Sequence, residues 1–382
     1  MYTPYAGFEE LPEGSLPRHE GFRLFRSASM HDLNNWGDWI RAYRRTLPTV
    51  MLPAVLAESY AVASALAGVH ADGLRVVAWN HSDNPYDYAY LSHHEPIIHR
   101  YVVNTHACEQ ALLQRVGTRH RDIVLIPHGV SIGPETTRDA HMDRPIRIAY
   151  GGRFDHLVKR VLDFPKLAMR LFEAGVRFEL LLAGDGPQRE QLESAVNSTL
   201  QTIRAGGSNI RIEPPRPPHK MPLIWQWADV AMLMSVHEGM SVAMLEAMAE
   251  GCVPVVTAVK SGARDVLQSG RNGFTFPIGD IDEAANIIAK LAREPATLIL
   301  LSTAARETIA TQHGFSTHVD RFMALLNEVE QSEPRFGRNA ATLQINAPGV
   351  TDPGDSLTVP SDAAAKLMAL LQRISNEASG PI

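Results

Sequence analysis

The sequence is poor in cysteine. Its 382 residues include two, Cys108 and Cys252, far apart along the chain, which excludes a disulfide framework and a cysteine-built zinc site. It has no run of 18 apolar residues, so nothing in it reads as an apolar membrane-spanning helix. It also lacks a basic excess. Lys and Arg number 36 against 42 Asp and Glu, a formal charge of −6, whereas proteins that live on nucleic acid are normally basic; no nucleic-acid partner is expected. Residues Met1 to Arg18 are polar and proline-rich and lack the basic start and apolar core of a signal peptide. The expected compartment is the cytoplasm, with peripheral contact at a membrane surface left open. What remains, 45% hydrophobic and 20% charged residues, is the balance of a soluble globular chain. At roughly 150 residues per domain, the length points to two domains.

The middle of the chain alternates strand and helix patterns. Ile146 to Tyr150, Phe178 to Ala183, Ile210 to Ile212, Val230 to Ser235 and Val253 to Ala258 read as strands. Several are continuous apolar runs, as expected of parallel strands covered on both faces. Between them, Val161, Phe164, Ala168 and Leu171 share one helical face, Ser241 to Glu250 reads as a helix, and Ala284, Ile287, Ile288 and Leu291 mark another, with Asp282 as its expected N-cap. This alternation predicts right-handed βαβ units and an open, doubly wound sheet over residues 144–330.

The first part, residues 1–140, repeats the theme less completely, with strands at Arg75 to Asn80, Tyr101 to Thr105, Ile123 to Pro127 and, more weakly, Thr49 to Leu52, and a helix at Glu58 to Gly68. Residues 332–360 are rich in Pro, Gly, Asn, Asp and Thr and read as a mobile linker. Residues 361–376 carry Ala364, Leu367, Met368, Leu371 and Ile374 on one helical face.

Two stretches carry chemistry. In His237-Glu238-Gly239-Met240-Ser241-Val242 a loop at the carboxyl end of a strand opens a helix. Gly239 permits close backbone approach. With a helix start near Met240, the free N–H groups of Met240, Ser241 and Val242 point out of the helix end as an anion site fit for a diphosphate. Glu238 and Glu246 flank this start eight residues apart; each is equally readable as a surface carboxylate. The second stretch, Gly151-Gly152-Arg153 to Lys159, also follows a strand and opens a helix. Its Arg and Lys can hold a phosphate from two sides, or can simply form a basic helix start.

Read together, these stretches resemble the family 4 glycosyltransferases. The resemblance rests on Gly152-Arg153-Phe154 with Lys159, Ala183-Gly184-Asp185-Gly186-Pro187, Glu238 with Glu246, and Ala249-Glu250-Gly251-Cys252-Val253-Pro254-Val255-Val256, in that order. Ser261-Gly262-Ala263-Arg264-Asp265 and Asn272-Gly273-Phe274 stand where the family has a G-G…E and an N-G segment. The sequence departs at Arg160, where glycine is usual, at Asp265, where glutamate is usual, and at Glu213-Pro214-Pro215-Arg216, where the family holds the nucleotide base.

The resemblance implies a GT-B architecture of two Rossmann-like domains and retaining transfer of a sugar from a nucleotide diphosphate sugar, UDP- or GDP-linked. The acceptor, whether saccharide, lipid-linked or small molecule, is not specified, and neither a cofactor nor a metal ion is implied. Arg153 and Lys159 would neutralise the leaving diphosphate, Glu246 would bind ribose, and Glu238 would contact the donor sugar. Gly152 and the backbone of Gly239, Met240, Ser241 and Val242 would line the donor. His81, ending the Val76 to Asn80 strand, would face the donor sugar across the cleft, and Ile126-Pro127-His128-Gly129-Val130 matches an I-P-N-G-V segment with His128 replacing asparagine. The family's opening strand and glycine loop are not found before Thr49, so the first domain is expected to be incomplete. A sugar-nucleotide epimerase and a non-catalytic nucleotide-sugar-binding paralogue are the alternatives.

Three signals carry less. His93, His94, Glu95 and His99 match no zinc spacing and read as a wet helix face. Asp280-Ile281-Asp282 mimics a D-x-D metal motif but precedes a helix, where capping explains it. Trp36, Trp39 and Tyr43 among arginines read either as a membrane-surface contact or as an ordinary core helix.

Overall fold

The computed structural model describes residues 50–52, 75–81, 83, 85–134, 144–260 and 262–333. The first group of elements is β1 (Val50–Met51), β2 (Arg75–Asn80), α1 (Pro85–His93), β3 (Ile98–Val103), α2 (His106–Val116) and β4 (Ile123–Leu125). Its strands form a parallel sheet in the order β1-β2-β3-β4.

The second group is β5 (Ile146–Gly151), α3 (His156–Lys159), α4 (Phe164–Glu173), β6 (Phe178–Ala183), α5 (Arg189–Ile203), β7 (Asn209–Glu213), α6 (Met221–Trp227), β8 (Val230–Leu233), α7 (Val242–Ala249), β9 (Val253–Thr257), α8 (Ala263–Val266), β10 (Phe274–Phe276), α9 (Ile281–Arg293), α10 (Pro295–Gln312) and α11 (Phe315–Gln331). Its six strands are parallel in the order β10-β9-β8-β5-β6-β7. Every residue of β8 and β9 is buried, because helices cover both faces. The order reverses between β5 and β8, and a doubly wound sheet opens its ligand crevice beyond the carboxyl ends of the strands at such a reversal.

The chain crosses between the sheets twice, and the crossings meet. Val130 pairs with Gly314 as an isolated parallel bridge, with Val130 N–H donating to the His313 carbonyl at 2.9 Å and Phe315 N–H to that of Val130 at 3.0 Å. Helix α11, inside the 144–330 range assigned to the second domain, lays Leu325 and Val329 on Val77, Val102 and Ile126 of the first sheet. Arg75 donates to the Ser332 carbonyl at 2.6 Å, and Arg100 pairs with Glu328 at 2.6 Å, fixing that helix at its far end.

Several sequence expectations need correction. The helix read through Val161 to Leu171 is broken: α3 stops at Lys159, a 3-10 turn covers Val161–Asp163, and α4 starts at Phe164. The four apolar residues are nonetheless all buried. The break is at Arg160, whose φ of 52° is left-handed and ends a helix. The strand read at Tyr101 to Thr105 lies at Ile98–Val103, because Thr105 is the N-cap of α2, accepting from Cys108 N–H at 3.1 Å. Asp280 rather than Asp282 caps α9, accepting from Glu283 N–H at 3.0 Å. His94 and His99 are buried, not on a wet face; His99 Nδ1 accepts from Val76 N–H at 3.1 Å across β2 and β3.

The helices read at Glu58 to Gly68 and residues 361–376, the aromatic stretch around Trp36, nearly all of the 332–360 linker and the expected missing opening of the first sheet lie outside the described residues. Among the described residues no helix is long and apolar enough to cross a membrane.

Candidate functional site

The two motif-bearing loops follow β5 and β8, the strands flanking the reversal, so the topology brings together residues that are 79 positions apart in sequence. After β5 the chain turns through Gly152 and is held down by Phe154, whose N–H donates to the Asp185 carbonyl at 2.7 Å. Gly184 lies against this turn so closely that a Cβ there would collide with the Gly152 carbonyl, the steric reason for the first glycine of Ala183-Gly184-Asp185-Gly186. Asp155 caps the short α3, accepting from Val158 N–H at 3.2 Å, and also pairs with Arg153 at 2.7 Å. Arg153 is exposed while Asp155 is largely buried.

Arg160 occupies the left-handed position where the resemblance has glycine. Its guanidinium bonds Asp163 at 2.6 Å, and that carboxylate is 1% exposed and also takes Lys166 at 3.2 Å. The ion pair offsets backbone strain of about 1–2 kcal/mol.

From the other strand, the loop Ser235 to Ser241 carries Glu238 to Lys159: Nζ to Oε1 is 2.5 Å, with both side chains largely buried. Ser235 Oγ donates to the same oxygen at 2.6 Å, and Val236 N–H donates to the Val158 carbonyl at 2.8 Å, lacing the two loops together. Gly262 has a φ of 62° and packs so tightly on the Gly239 carbonyl that a Cβ would collide.

Helix α7 begins at Val242, two residues later than the expected start near Met240. Ser241 is its N-cap, accepting from Met244 N–H at 3.4 Å. Serine caps well and methionine does not, and Met240 is buried instead. Of the three backbone groups expected at the helix end, Val242 lies in the first turn, while Met240 and Ser241 belong to the loop.

Glu246 sits one turn inside α7, half-buried. Burial pushes its carboxyl above the usual range, and the nearby Trp225 side chain works the other way. Tyr150 beneath the site has its phenol pushed up by burial, then by the nearby Glu238 and Asp155 carboxylates; its OH donates to the Arg153 carbonyl at 2.7 Å.

His81 stands on the first sheet. Its ring packs on Trp79 at a tilt of 41° with centroids 4.3 Å apart, and lies nearly parallel to His128 at 5.8 Å. Trp79 Nε1 donates to Asn104 Oδ1 at 2.7 Å, and Asn104 Nδ2 lies 2.8 Å from His128 Nε2. His318 and His313 close the group from the second crossing, with Nδ1 atoms 2.8 and 3.2 Å from the Pro127 and His128 carbonyls. Burial is the main reason that His81, His128 and His313 all have lowered pKa values; His128, also facing His81, His318 and His313, drops to about 4.

The structure therefore joins Lys159 to Glu238, sets Arg153 beside Asp155, and leaves Glu246 half-buried on α7 near Trp225. Asp155 was legible in principle, since an Asp directly before a short helical stretch is an N-cap signal. Ser235, Trp225, His313 and His318 carried no local signal. Among the described residues no group of three or more His, Cys, Asp or Glu side chains is placed to hold a metal ion.

Residues 145–294 match the family described as Glycosyl transferases group 1. The chain has the GT-B fold and is related to the group 1 glycosyltransferases. Among curated relatives it is 29% identical over 168 residues to 2-deoxystreptamine glucosyltransferase of Streptomyces kanamyceticus, covering 44% of this chain and 40% of that protein. It is 32% identical over 146 residues to the putative colanic acid biosynthesis glycosyltransferase WcaL of Salmonella typhimurium, covering 36% and 34%. The chain thus spans less than half the length of these relatives. In fold it is similar to HepE of Anabaena, solved with UDP-glucose, with a TM-score of 0.65 at 14% identity over 80% of this chain and 85% of that one. A glycosyltransferase from Rickettsia africae gives 0.62 at 15% identity over 81% and 86%. For this group 1 relative, the matched segment contains both loops of the candidate site.

Proposed function

We propose that this chain transfers a sugar from a nucleoside diphosphate sugar to an acceptor, with retention at the anomeric carbon. The observation that supports the reading is the Lys159–Glu238 pair between the loops after β5 and β8, the strands flanking the sheet's reversal, with Arg153 on the first loop and the capped start of α7 ending the second. Two cations and the N-terminus of a helix fit a diphosphate. As the glycosidic bond to the diphosphate breaks, negative charge grows on the leaving phosphate, and Arg153 and Lys159 stabilise it electrostatically. Glu246 binds the ribose hydroxyls, Glu238 contacts the sugar, and backbone around Gly152 and from Gly239 to Val242 lines the donor. His81 faces the sugar from the first sheet. In this reading the donor carries uridine or guanosine, and the acceptor is a saccharide, a lipid-linked sugar or a small molecule, met in the cytoplasm or at its membrane face.

The test is incubation with a panel of UDP- and GDP-sugars, with and without candidate acceptors. Acceptor-dependent release of nucleoside diphosphate is the expected result. Interconversion of the nucleotide sugar alone, or binding without turnover, would overturn the reading. Arg153→Ala or Lys159→Ala is expected to lower turnover by about 10²-fold with the fold intact, and near-normal turnover in both would remove them from the mechanism.

A further inference from the structure

We infer that Asn104 is the positioning residue of His128: it holds the imidazole with its proton on Nδ1, and that N–H donates to an oxygen of a bound nucleoside diphosphate sugar. The ligand rests on the proposed function; the position of the proton does not.

Asn104 directly follows β3 and is 1% exposed. Its amide stands between two ring nitrogens. Trp79 Nε1, on β2, lies 2.7 Å from Oδ1, and Nε2 of His128, in the segment after β4, lies 2.8 Å from Nδ2. An indole N–H only donates, so the amide atom facing Trp79 is the oxygen. The NH2 group then faces His128. An amide nitrogen does not accept, so His128 Nε2 does, and the proton of the neutral ring sits on Nδ1. The opposite amide orientation would set two donors against each other in a buried place, at the cost of both hydrogen bonds.

The ring is neutral at neutral pH, because burial, and then the facing His81, His318 and His313, bring its pKa to about 4. The main chain beneath it is held as well. His313 Nδ1 lies 3.2 Å from the His128 carbonyl, and a Cβ on the next residue, Gly129, would collide with His318. Nδ1 of the half-buried ring makes no hydrogen bond to a described residue, and solvent reaches it. A buried relay from Trp79 through Asn104 thus ends in a fixed, neutral donor with capacity to spare. His81 lies nearly parallel to His128, with centroids 5.8 Å apart, so the nucleotide sugar that the proposed function brings to His81 comes to this N–H too. The oxygen it meets belongs to the diphosphate or to the sugar.

The first measurement needs no ligand. The full chain is prepared with isotope-labelled histidine for NMR, and the His128 ring is assigned from the signals lost in His128→Asn. At neutral pH its proton is expected on Nδ1. Asn104→Asp, whose carboxylate only accepts, is expected to put a proton on Nε2. His313 and His318, whose Nδ1 atoms face backbone carbonyls, should keep their Nδ1 protons in both, which separates control of the His128 proton from general disruption. An Nε2–H ring in the unaltered chain, or a ring protonated on Nδ1 alone in Asn104→Asp, would overturn the inference. If Asn104→Asp does not fold, Trp79→Phe releases the amide to turn over, and an Nε2–H population is expected; a ring that stays wholly Nδ1–H there would overturn it equally. The second measurement follows exchange of the Nδ1–H proton with water as UDP, GDP and their glucose conjugates are added. Slowing on the order of tenfold is expected, the effect of one hydrogen bond. Slowing by the bare nucleotides as well assigns the oxygen to the diphosphate, and slowing by the conjugates alone assigns it to the sugar. No slowing while these ligands bind would overturn the ligand contact. Absence of all nucleotide binding by calorimetry would count against the proposed function, while the proton's position would still decide the role of Asn104.

Discussion

Asp265, on α8 of the second domain, accepts a hydrogen bond at 2.8 Å from the backbone N–H of His106, the first residue of α2 in the first domain. A carboxylate at a helix N-terminus satisfies one of its unpaired N–H groups and meets the positive end of its dipole. Here the carboxylate comes from the other domain, so the contact ties the two together. The resemblance has glutamate at this position, and the shorter aspartate sets a close approach.

Asp265→Ala is expected to remove this tie at a cost of about 0.5–2 kcal/mol, the range for losing an N-cap, while Thr105 still caps α2 internally. Small-angle scattering should record a larger radius of gyration for the variant, with Asp265→Asn, which keeps an acceptor, in between. An unchanged radius in Asp265→Ala would mean that the domains are held elsewhere.

The histidines at the crossings make stability depend on pH. His128 faces His81, His313, His318 and Asn104, and His313 also feels Asp265 and Arg321. His128 falls to about 4 in the folded chain against 6.5 when unfolded. The unfolded state therefore binds more protons below pH 6.5. The contribution is complete above that value and is lost as the pH falls toward 4. His128 alone should cost on the order of 1–2 kcal/mol between pH 7 and 5. Urea unfolding at the two pH values should show the loss, and His128→Asn should reduce it; equal acid sensitivity in that variant would move the effect to other groups.

Glu246 sets binding against stability. Because burial raises its pKa, its charged form is a cost to the folded state at neutral pH. Glu246→Gln removes that charge at constant shape, so the thermal midpoint should rise while affinity for nucleoside diphosphate falls. Glu238→Gln should instead weaken intact donor more than bare nucleotide. Identical losses for both ligands in both variants would contradict separate roles.

Arg160 is the one non-glycine residue with positive φ among the described residues. Glycine there would relieve about 1–2 kcal/mol of strain but would strip the nearest cation from the buried Asp163. A hydrogen bond to a charged group is worth about 1.5–3 kcal/mol, so Arg160→Gly should destabilise in denaturant titration. In an Asp163→Asn background the sign should reverse. Destabilisation of the same size in both backgrounds would deny the coupling.

Local signals explain what could be read early. The run Phe178 to Ala183 and the strand Arg75–Asn80 have the bounds read from sequence, since strands buried on both faces are predominantly apolar, with Glu179 and Arg75 at half-buried positions. Helix boundaries were less legible where a single residue decided them. Ser241, Thr105 and Asp280 each moved an edge by capping, and Arg160 broke a helix that the apolar spacing alone ran through.

The alternation of buried strands and amphipathic helices, the glycines of Ala183-Gly184-Asp185-Gly186-Pro187 and the residue types at the two loops are all written in short-range patterns of the chain. All are set by backbone sterics and by periodic burial within a few neighbouring residues. Which of those residues meet is set by the three-dimensional arrangement of the strands. Lys159 reaches Glu238 because the strand order reverses between β5 and β8. His81 and His128 join His313 and His318 because the chain crosses between the sheets twice at one place. Asp265 reaches His106 over 159 residues because α8 and the start of α2, which follow strands of different sheets, lie against each other. Such pairings depend on sheet order and crossover geometry, which residue spacing along the chain does not encode.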